Sequence, residues 1–188
     1  MSHPARIPTA TTALVLATIA LGACDPAPTT PGPVVDAALA LAPAAGGPAE
    51  VRAWLAHLRA TLAPLHSFEA AQAAGYDTPI TECMELPGTG GMGFHYGDPD
   101  LIDGVVEELK PEVLLFEPQK NGRMRLLGVE YIVPFTAWTG EEPPTLHGLT
   151  FAANETFQVW ALHAWVWRHN PAGTFADWNP TVDCRYAP

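Results

Sequence analysis

The sequence predicts an α+β domain in which two N-terminal helices pack on a mainly antiparallel β-sheet. Apolar residues recur at helical spacing over residues 51–65. An Asn121-Gly122 pair, typical of a tight type I′ turn, joins the strand-like runs 112–117 and 123–133. A further aromatic run at 157–169 adds another strand. Because the helical pattern comes first along the chain and the strand patterns follow, the sequence favours a fold in which the helices are separate from an antiparallel sheet.

The first predicted helix carries one apolar stripe, formed by Val51, Trp54, Leu55, Leu58, Leu62 and Leu65. Pro64 is expected to end it, because proline has no backbone N–H to continue the hydrogen-bonding pattern. Ser67 is a suitable N-cap for a shorter second helix that reaches Ala74. Gly75 then stands where a left-handed C-terminal residue is usual.

Between residues 90 and 111 the pattern is glycine-rich, with one strand and one short helix. Alternation from Met92 places Met92, Phe94 and Tyr96 on one face of the strand, and Gly93 and His95 on the other. Asp98-Pro99 predicts the cap and first turn of a helix that continues to Leu109.

The returning strand of the hairpin, 123–133, places a carboxylate on its more apolar face. Strict alternation groups Glu130 with Met124, Leu126, Gly128 and Ile132, opposite Arg123, Arg125, Leu127, Val129, Tyr131 and Val133. A buried, unpaired carboxylate is costly. Glu130 is therefore expected at a frayed end, paired with a cation, or holding a ligand.

The run 157–169 fits helical and strand periods alike, and its aromatic and valine content favours a strand. One predicted face carries Phe157, Val159, Ala161, His163, Trp165, Trp167 and His169; Gln158, Trp160, Leu162, Ala164, Val166 and Arg168 form the other. A turn at residues 170–173 should follow it.

Residues 1–23 have the features of a processing signal rather than a membrane span, because their apolar stretch is short. Leu21-Gly22-Ala23-Cys24 resembles the lipobox of bacterial prolipoproteins. The resemblance implies a lipidated Cys24 that anchors the protein to the extracytoplasmic face of the cell membrane, since two acyl chains suffice for durable anchoring. An ordinary secretory signal cleaved near Ala23 is the alternative.

After Cys24 the chain divides into a proline-rich linker, residues 24–48, and a single domain, residues 49–188, of ordinary domain size. The formal net charge is −11, and Lys110 and Lys120 are the only lysines. Nucleic acid is excluded as a partner, because the chain has no basic face to neutralise phosphates. The expected partners are the membrane, through the anchor, and a small molecule or an envelope protein.

Cys83 and Cys184 are the other two cysteines of the chain. In an oxidising compartment a distant pair is typical of a structural disulfide. Closing a loop of about a hundred residues is worth roughly 4.7 kcal/mol in the chain-entropy model. A thiolate metal site is the alternative, although no CxxC spacing supports it.

His95, Glu130 and His163 are candidate ligands for one divalent transition metal, with His147 and His169 as further candidates. Two imidazoles and a carboxylate suit Zn²⁺, Cu²⁺ or non-haem iron. No HxH, HxxxH or HExxH spacing is present, so the ligands would come from separate strands. In the purely structural alternative, a carbonyl satisfies His95, Arg125 or Arg168 pairs with Glu130, and tryptophans surround His163.

Trp165 and Trp167 suggest a second kind of site, a platform for a sugar, a lipid or a partner protein. The alternative is that the tryptophans fill the interface between helices and sheet. The sequence contains no GxSxG or P-loop motif, and its cysteines are assigned to the anchor and the disulfide. The chain is therefore not expected to be an enzyme of those classes.

Three segments together are similar to a family of exported bacterial proteins for which no activity is assigned: residues 91–96, 127–134 and 162–171. The similarity extends over roughly residues 50–184 and implies an architecture but no site residues. We expect a lipid-anchored envelope protein with a binding or structural role. The alternatives are a metalloprotein such as an oxidoreductase, and a carbohydrate or lipid binder.

Overall fold

The computed structural model describes residues 46–188. The predicted signal peptide, Cys24 and nearly all of the predicted linker lie outside the described residues and stay predictions. Among residues 46–188, none of the helices combines the length and the apolar character that a membrane crossing requires.

The core of the fold is a six-stranded antiparallel sheet with the strand order β1-β2-β3-β4-β8-β7. A separate two-stranded sheet pairs β5 with β6. This mainly antiparallel architecture with few helices agrees with the predicted α+β class. The strands are β1 (Thr78–Leu86), β2 (Gly90–Gly97), β3 (Val113–Pro118), β4 (Met124–Pro134), β5 (Thr145–Leu146), β6 (Leu149–Thr150), β7 (Ala152–Asn154) and β8 (Val159–Ala164).

Two α-helices precede the sheet, α1 (Pro48–Thr61) and α2 (Phe68–Ala73). Proline at the first position of α1 fits there, because that N–H would have no partner inside the helix. After α1, Pro64 lies in a short 3₁₀ turn at Ala63–Leu65. The predicted cap of α2 is confirmed, since Ser67 Oγ accepts a hydrogen bond from Ala70 N at 3.1 Å.

Apolar side chains pack on both faces of the sheet. On one face Trp54, Leu58 and Ala71 from the helices join strand residues such as Phe116 and Tyr131 in the larger core. The opposite face carries a smaller cluster of seven buried residues, Val113, Leu115, Leu127, Ile132, Ala161, Trp165 and Val182. The candidate site lies on this second face, away from the helices.

A β-bulge at Leu127 changes which side chains of β4 share a face. Leu115 pairs with Gly128, but Phe116 pairs with Leu126, so Leu127 is an extra residue in β4. As a result Leu126 packs in the same core as Val129, and Leu127 packs with Ile132. Strict alternation over 123–133 is therefore wrong on the N-terminal side of the bulge.

The pairing of β1 with β2 is irregular near Gly93. Its register moves from Thr81 opposite His95 to Met84 opposite Gly93. Gly93 has φ +82°, a conformation that glycine adopts without strain. Met92 consequently lines the same cavity as His95, and its predicted place beside Tyr96 is wrong.

The predicted helix through Leu109 is wrong, because only a 3₁₀ turn at Pro99–Leu101 forms after the Asp98 cap. Asp103 Oδ1 accepts a hydrogen bond from Val105 N at 2.8 Å, and Gly104 between them has φ +90°. Such local bonding from an aspartate side chain competes with helical hydrogen bonds.

Two other predicted segments are also corrected. The turn after β3 is not type I′: Gly122 has a positive φ but Asn121 does not, and Gly122 N donates to Gln119 O at 2.9 Å. The strand predicted for 157–169 is limited to β8. It starts after Gln158, which has φ 55°, and it ends at Ala164. Beyond that end Trp165 N donates to Thr174 O, and both Trp167 N and Arg168 N donate to Leu127 O.

The predicted disulfide between Cys83 and Cys184 is present, with the two Cα atoms 5.8 Å apart across 101 residues of sequence. A backbone bridge between Gly91 and Asn179 holds the same C-terminal segment against β2. The end of the chain is thus attached to β1 by a covalent bond and to β2 by hydrogen bonds.

Candidate metal centre

Three strands bring His95, Glu130 and His163 together on the second face of the sheet. Glu130 of β4 stands directly opposite His163 of β8. His95 lies on β2, which β3 separates from β4. Despite this separation, one ligand atom from each of the three residues lies within 4.8 Å of the other two.

Each oxygen of the Glu130 carboxylate faces a different imidazole. His95 Nε2 lies 3.6 Å from Oε2, and His163 Nε2 lies 3.6 Å from Oε1. These distances exceed those of ordinary hydrogen bonds, about 2.7–3.2 Å. Two donors bound to one tetrahedral zinc at about 2.0–2.1 Å lie about 3.3 Å apart. The spacing therefore matches ligands of a shared metal ion better than hydrogen-bonded partners.

The outer nitrogen of each imidazole has a neighbour that orients the ring. Thr81 Oγ1 lies 2.8 Å from His95 Nδ1. Asp177 Oδ1 lies 3.3 Å from His163 Nδ1, although at an angle that makes no regular hydrogen bond. With the proton on Nδ1, each ring directs the lone pair of Nε2 towards Glu130. Hydroxyl or carboxylate partners of this kind are typical of metal-bound histidines.

Burial leaves the site with unsatisfied polar atoms. The side chains of His95 and His163 are 4% exposed, and that of Glu130 is 10% exposed. Neither ring nitrogen of His163 has a hydrogen-bond partner in the described part of the chain. Buried polar groups are normally satisfied, so an imidazole without a partner indicates that something binds there.

The surroundings shift the pKa values of the two histidines in opposite directions. Burial lowers the pKa of His95 to about 4, so this ring is neutral at pH 7 and available as a metal ligand. Burial also opposes the charge on His163, but the nearby carboxylates of Glu130 and Asp177 outweigh it and raise its pKa. Metal ligation requires the neutral imidazole, so an ion at this site would compete with the proton that these two carboxylates favour on His163.

Neither arginine considered for Glu130 reaches it, so this part of the structural alternative is wrong. Arg125 forms its ion pair with Glu117. Arg168 donates from Nε to Thr181 Oγ1 at 2.9 Å. The nearest cation partners of Glu130 in the described residues are the two imidazoles.

The three side chains line a cavity of about 770 Å³. Ile80, Ile102 and Val159 contribute to its apolar wall, together with the methionines Met84 and Met92. The exposed residues Glu155 and Phe157 also line it, so the cavity opens to solvent. A ligand could therefore reach the three side chains from outside.

The other two candidate histidines do not join this group. We expected His147 to be exposed in its loop, but its side chain is only 15% exposed. Its ring lies 4.9 Å from that of Trp54, between the carboxylates of Glu50 and Glu108. Its Nε2 is 2.9 Å from Glu108 Oε2. His169 is exposed, and its carbonyl accepts a hydrogen bond from Asn179 Nδ2 at 3.1 Å, which supports the following turn.

Trp165 and Trp167 do not share a surface. Trp165 is 5% exposed, belongs to the smaller core and donates from Nε1 to Ala176 O at 2.6 Å. Trp167 packs against the larger core instead. The chain changes direction after Ala164, so the alternation expected for these two residues is lost.

Sequence reasoning missed three groups in or near the site, Thr81, Asp177 and Glu112. Thr81 lies in β1, and Asp177 lies in a C-terminal segment without regular period. Glu112 precedes β3, is 1% exposed and accepts a hydrogen bond from Ile132 N at 3.1 Å. Only Glu112, a carboxylate directly before the apolar run 113–116, carries a signal that could have marked it.

The chain matches no family model, no curated protein and no solved structure.

Proposed function

We propose that this protein binds one divalent transition metal ion through His95 Nε2, His163 Nε2 and the carboxylate of Glu130. The observation that carries the proposal is the pair of 3.6 Å distances from one buried carboxylate to two imidazole nitrogens, too long for hydrogen bonds and suited to a shared ion. Three protein ligands leave coordination positions open towards the cavity. Such sets occur in catalytic zinc and non-haem iron sites.

The fold supports this function, because the larger core and the proposed ligands lie on opposite faces of the sheet. In this proposal the two N-terminal helices form a layer on one face of the sheet, and the metal occupies the other face. The ligands then lie on strands, which hold side-chain geometry more firmly than loops do.

Metal analysis of the purified full chain tests the proposal. We expect about one zinc, iron or copper ion per chain, and a visible Co²⁺ spectrum of a four- or five-coordinate site after cobalt replaces it. His95→Ala, His163→Ala and Glu130→Ala should abolish tight binding. His169→Ala is the matched control, because this imidazole is exposed and lies outside the site.

Thr81→Val provides a graded variant, since it removes only the group that orients His95. Loss of such a partner typically weakens metal affinity by about 10–100-fold. Metal-free protein whose unfolding temperature does not change with Zn²⁺, Fe²⁺ or Cu²⁺ would overturn the proposal.

We also propose that the protein works on the extracytoplasmic face of the cell membrane, held there by lipid on Cys24. The lipobox-like run before Cys24 supports this location. The Cys83–Cys184 disulfide supports it too, because such bonds persist in oxidising compartments.

Cell fractionation with mass analysis of the N-terminus tests the anchor. The wild-type chain should be found in membranes and begin with an acylated Cys24, whereas Cys24→Ser should lose the acyl mass and stay unprocessed. Leu21→Ile is a mild control within the same signal. A wild-type protein that begins elsewhere and carries no lipid would contradict the location.

A further inference from the structure

The cavity beside the three proposed ligands has a predominantly apolar wall. Its volume of about 770 Å³ lies within the range of small-molecule sites, roughly 300–1,000 Å³. Phe157, 45% exposed, adds an aromatic ring to this lining. The main apolar residues are Ile80, Met84, Met92, Ile102, Ile132 and Val159. A ligand that fills the cavity must therefore present a largely apolar surface.

The charged groups of the cavity are all acidic apart from the two histidines. Glu130, Glu155 and Asp177 line it, and no lysine or arginine occurs among the described residues that do so. Without a metal ion, an anion would meet only carboxylates and the two imidazoles. A divalent ion held by two neutral imidazoles and one carboxylate keeps a local charge of about +1. Its open coordination positions let a carboxylate bind the ion directly, although Glu155 and Asp177 also line the cavity.

The open coordination positions and the apolar wall specify a ligand with two different ends. We propose that the cavity binds a small apolar monocarboxylate, with its carboxylate on the metal ion and its hydrocarbon tail along Ile102, Val159 and Phe157. This inference rests on the proposed metal site and goes beyond it, because it names the chemical class of the ligand. Carboxylate oxygens are ordinary ligands of zinc and iron.

Calorimetric titration of the zinc-loaded full chain with three probes tests the inference. Octanoate has both a carboxylate and a long hydrocarbon tail. Acetate has the carboxylate without the long tail, and octanol has the tail without a carboxylate. We expect octanoate to bind at least tenfold more tightly than either of the others. Octanoate should not bind measurably to metal-free protein, since the metal is the positive centre that the carboxylate needs.

Phe157→Asp is the variant that separates the tail site from the metal site. Phe157 lies in an exposed turn before β8, so its replacement does not disturb the core. We expect unchanged zinc content and octanoate affinity at least fivefold weaker, with a smaller loss for acetate, since the new carboxylate repels both probes but removes a tail contact only from octanoate. Tyr186→Asp is the control, because Tyr186 is an aromatic residue of similar exposure, 46%, outside the cavity lining.

The two proposals fail in different ways. A chain that binds no metal overturns the metal site and this inference with it. A chain that binds zinc but takes octanoate no better than acetate overturns only the inference. Equal octanoate binding with and without zinc would also overturn it, because the carboxylate would then not be on the metal.

Discussion

Glu130 and Glu112 are two buried carboxylates whose surroundings differ. Glu130 faces two imidazoles, which can balance its charge or share a cation with it. Glu112 has one backbone donor, Ile132 N, and burial raises its pKa to about 8, with Asp103 and Glu130 adding to the effect. Glu112 is therefore protonated at neutral pH, and its role is to satisfy a backbone N–H at the end of the β3–β4 ladder.

Glu112→Gln should change how stability depends on pH. The raised pKa means that the folded state keeps a proton that the unfolded state has already released between about pH 4.5 and 8. Wild-type stability should therefore fall across this window, by on the order of 5 kcal/mol, and the glutamine variant should show a flatter curve. Urea unfolding of metal-free protein at several pH values measures this. Parallel curves would contradict the assignment.

The sequence allowed the three proposed ligands to be selected but not to be placed together. Alternation put Glu130 on an apolar face, and His95 and His163 lay in strand-like runs. Their convergence depends on the strand order, in which β4 pairs with both β3 and β8. Pairing between distant segments has no local signal in the chain, and the same holds for the contacts of Thr81 and Asp177.

At the scale of secondary-structure elements, the two strand irregularities determine how the histidine strands face the site. The irregular pairing near Gly93 brings Met92 to the side of His95, and the bulge at Leu127 lies just beyond the pair Val129 and Ala164, where the pairing of β4 with β8 ends. Alternation predicts faces correctly only within an uninterrupted stretch, such as Val129 to Val133. Bulges were not predictable here, because each depends on the register with a partner strand.

Gly93→Ala should be strongly destabilising. A Cβ at this position would collide with the carbonyl oxygen of Phe116, and the alanine would have to keep φ +82°. We expect a loss of about 2 kcal/mol or more in the free energy of unfolding, together with weaker metal binding through His95. Gly88→Ala is the matched control, since Gly88 has φ +78° but nothing within 4 Å of the added atom. Thermal unfolding of both variants should give clearly different losses, and equal losses would argue against the role of the contact.

At the scale of the whole molecule, the disulfide and the C-terminal segment close the fold over the site. The segment that supplies Asp177 and Trp178 to the cavity is held by the Gly91–Asn179 bridge and by Cys184. The α+β class was predictable from the helical and strand periods of the sequence, and the cysteine pairing was predictable from its cysteine composition. The course of this tail was not, since it has no regular secondary structure.

Replacing both Cys83 and Cys184 with serine should destabilise the fold and loosen the site together. We expect a loss of about 2–4 kcal/mol, as is typical when a native disulfide is removed. Affinity for Zn²⁺ should fall as well, because Asp177 would be held less firmly beside His163. Urea unfolding and metal titration measure the two effects, and wild-type protein reduced with dithiothreitol should behave like the double variant. Unchanged metal affinity would show that the tail does not organise the site.

The position of the ligands along the chain sets the order in which the site can form during synthesis. His95 and Glu130 emerge from the ribosome before His163, and Asp177 and Cys184 follow later still. A chain that stops before His163 therefore exposes one histidine and one carboxylate without the third proposed ligand. In the proposed site, an ion is held only after His163 has been synthesised and β8 has paired with β4.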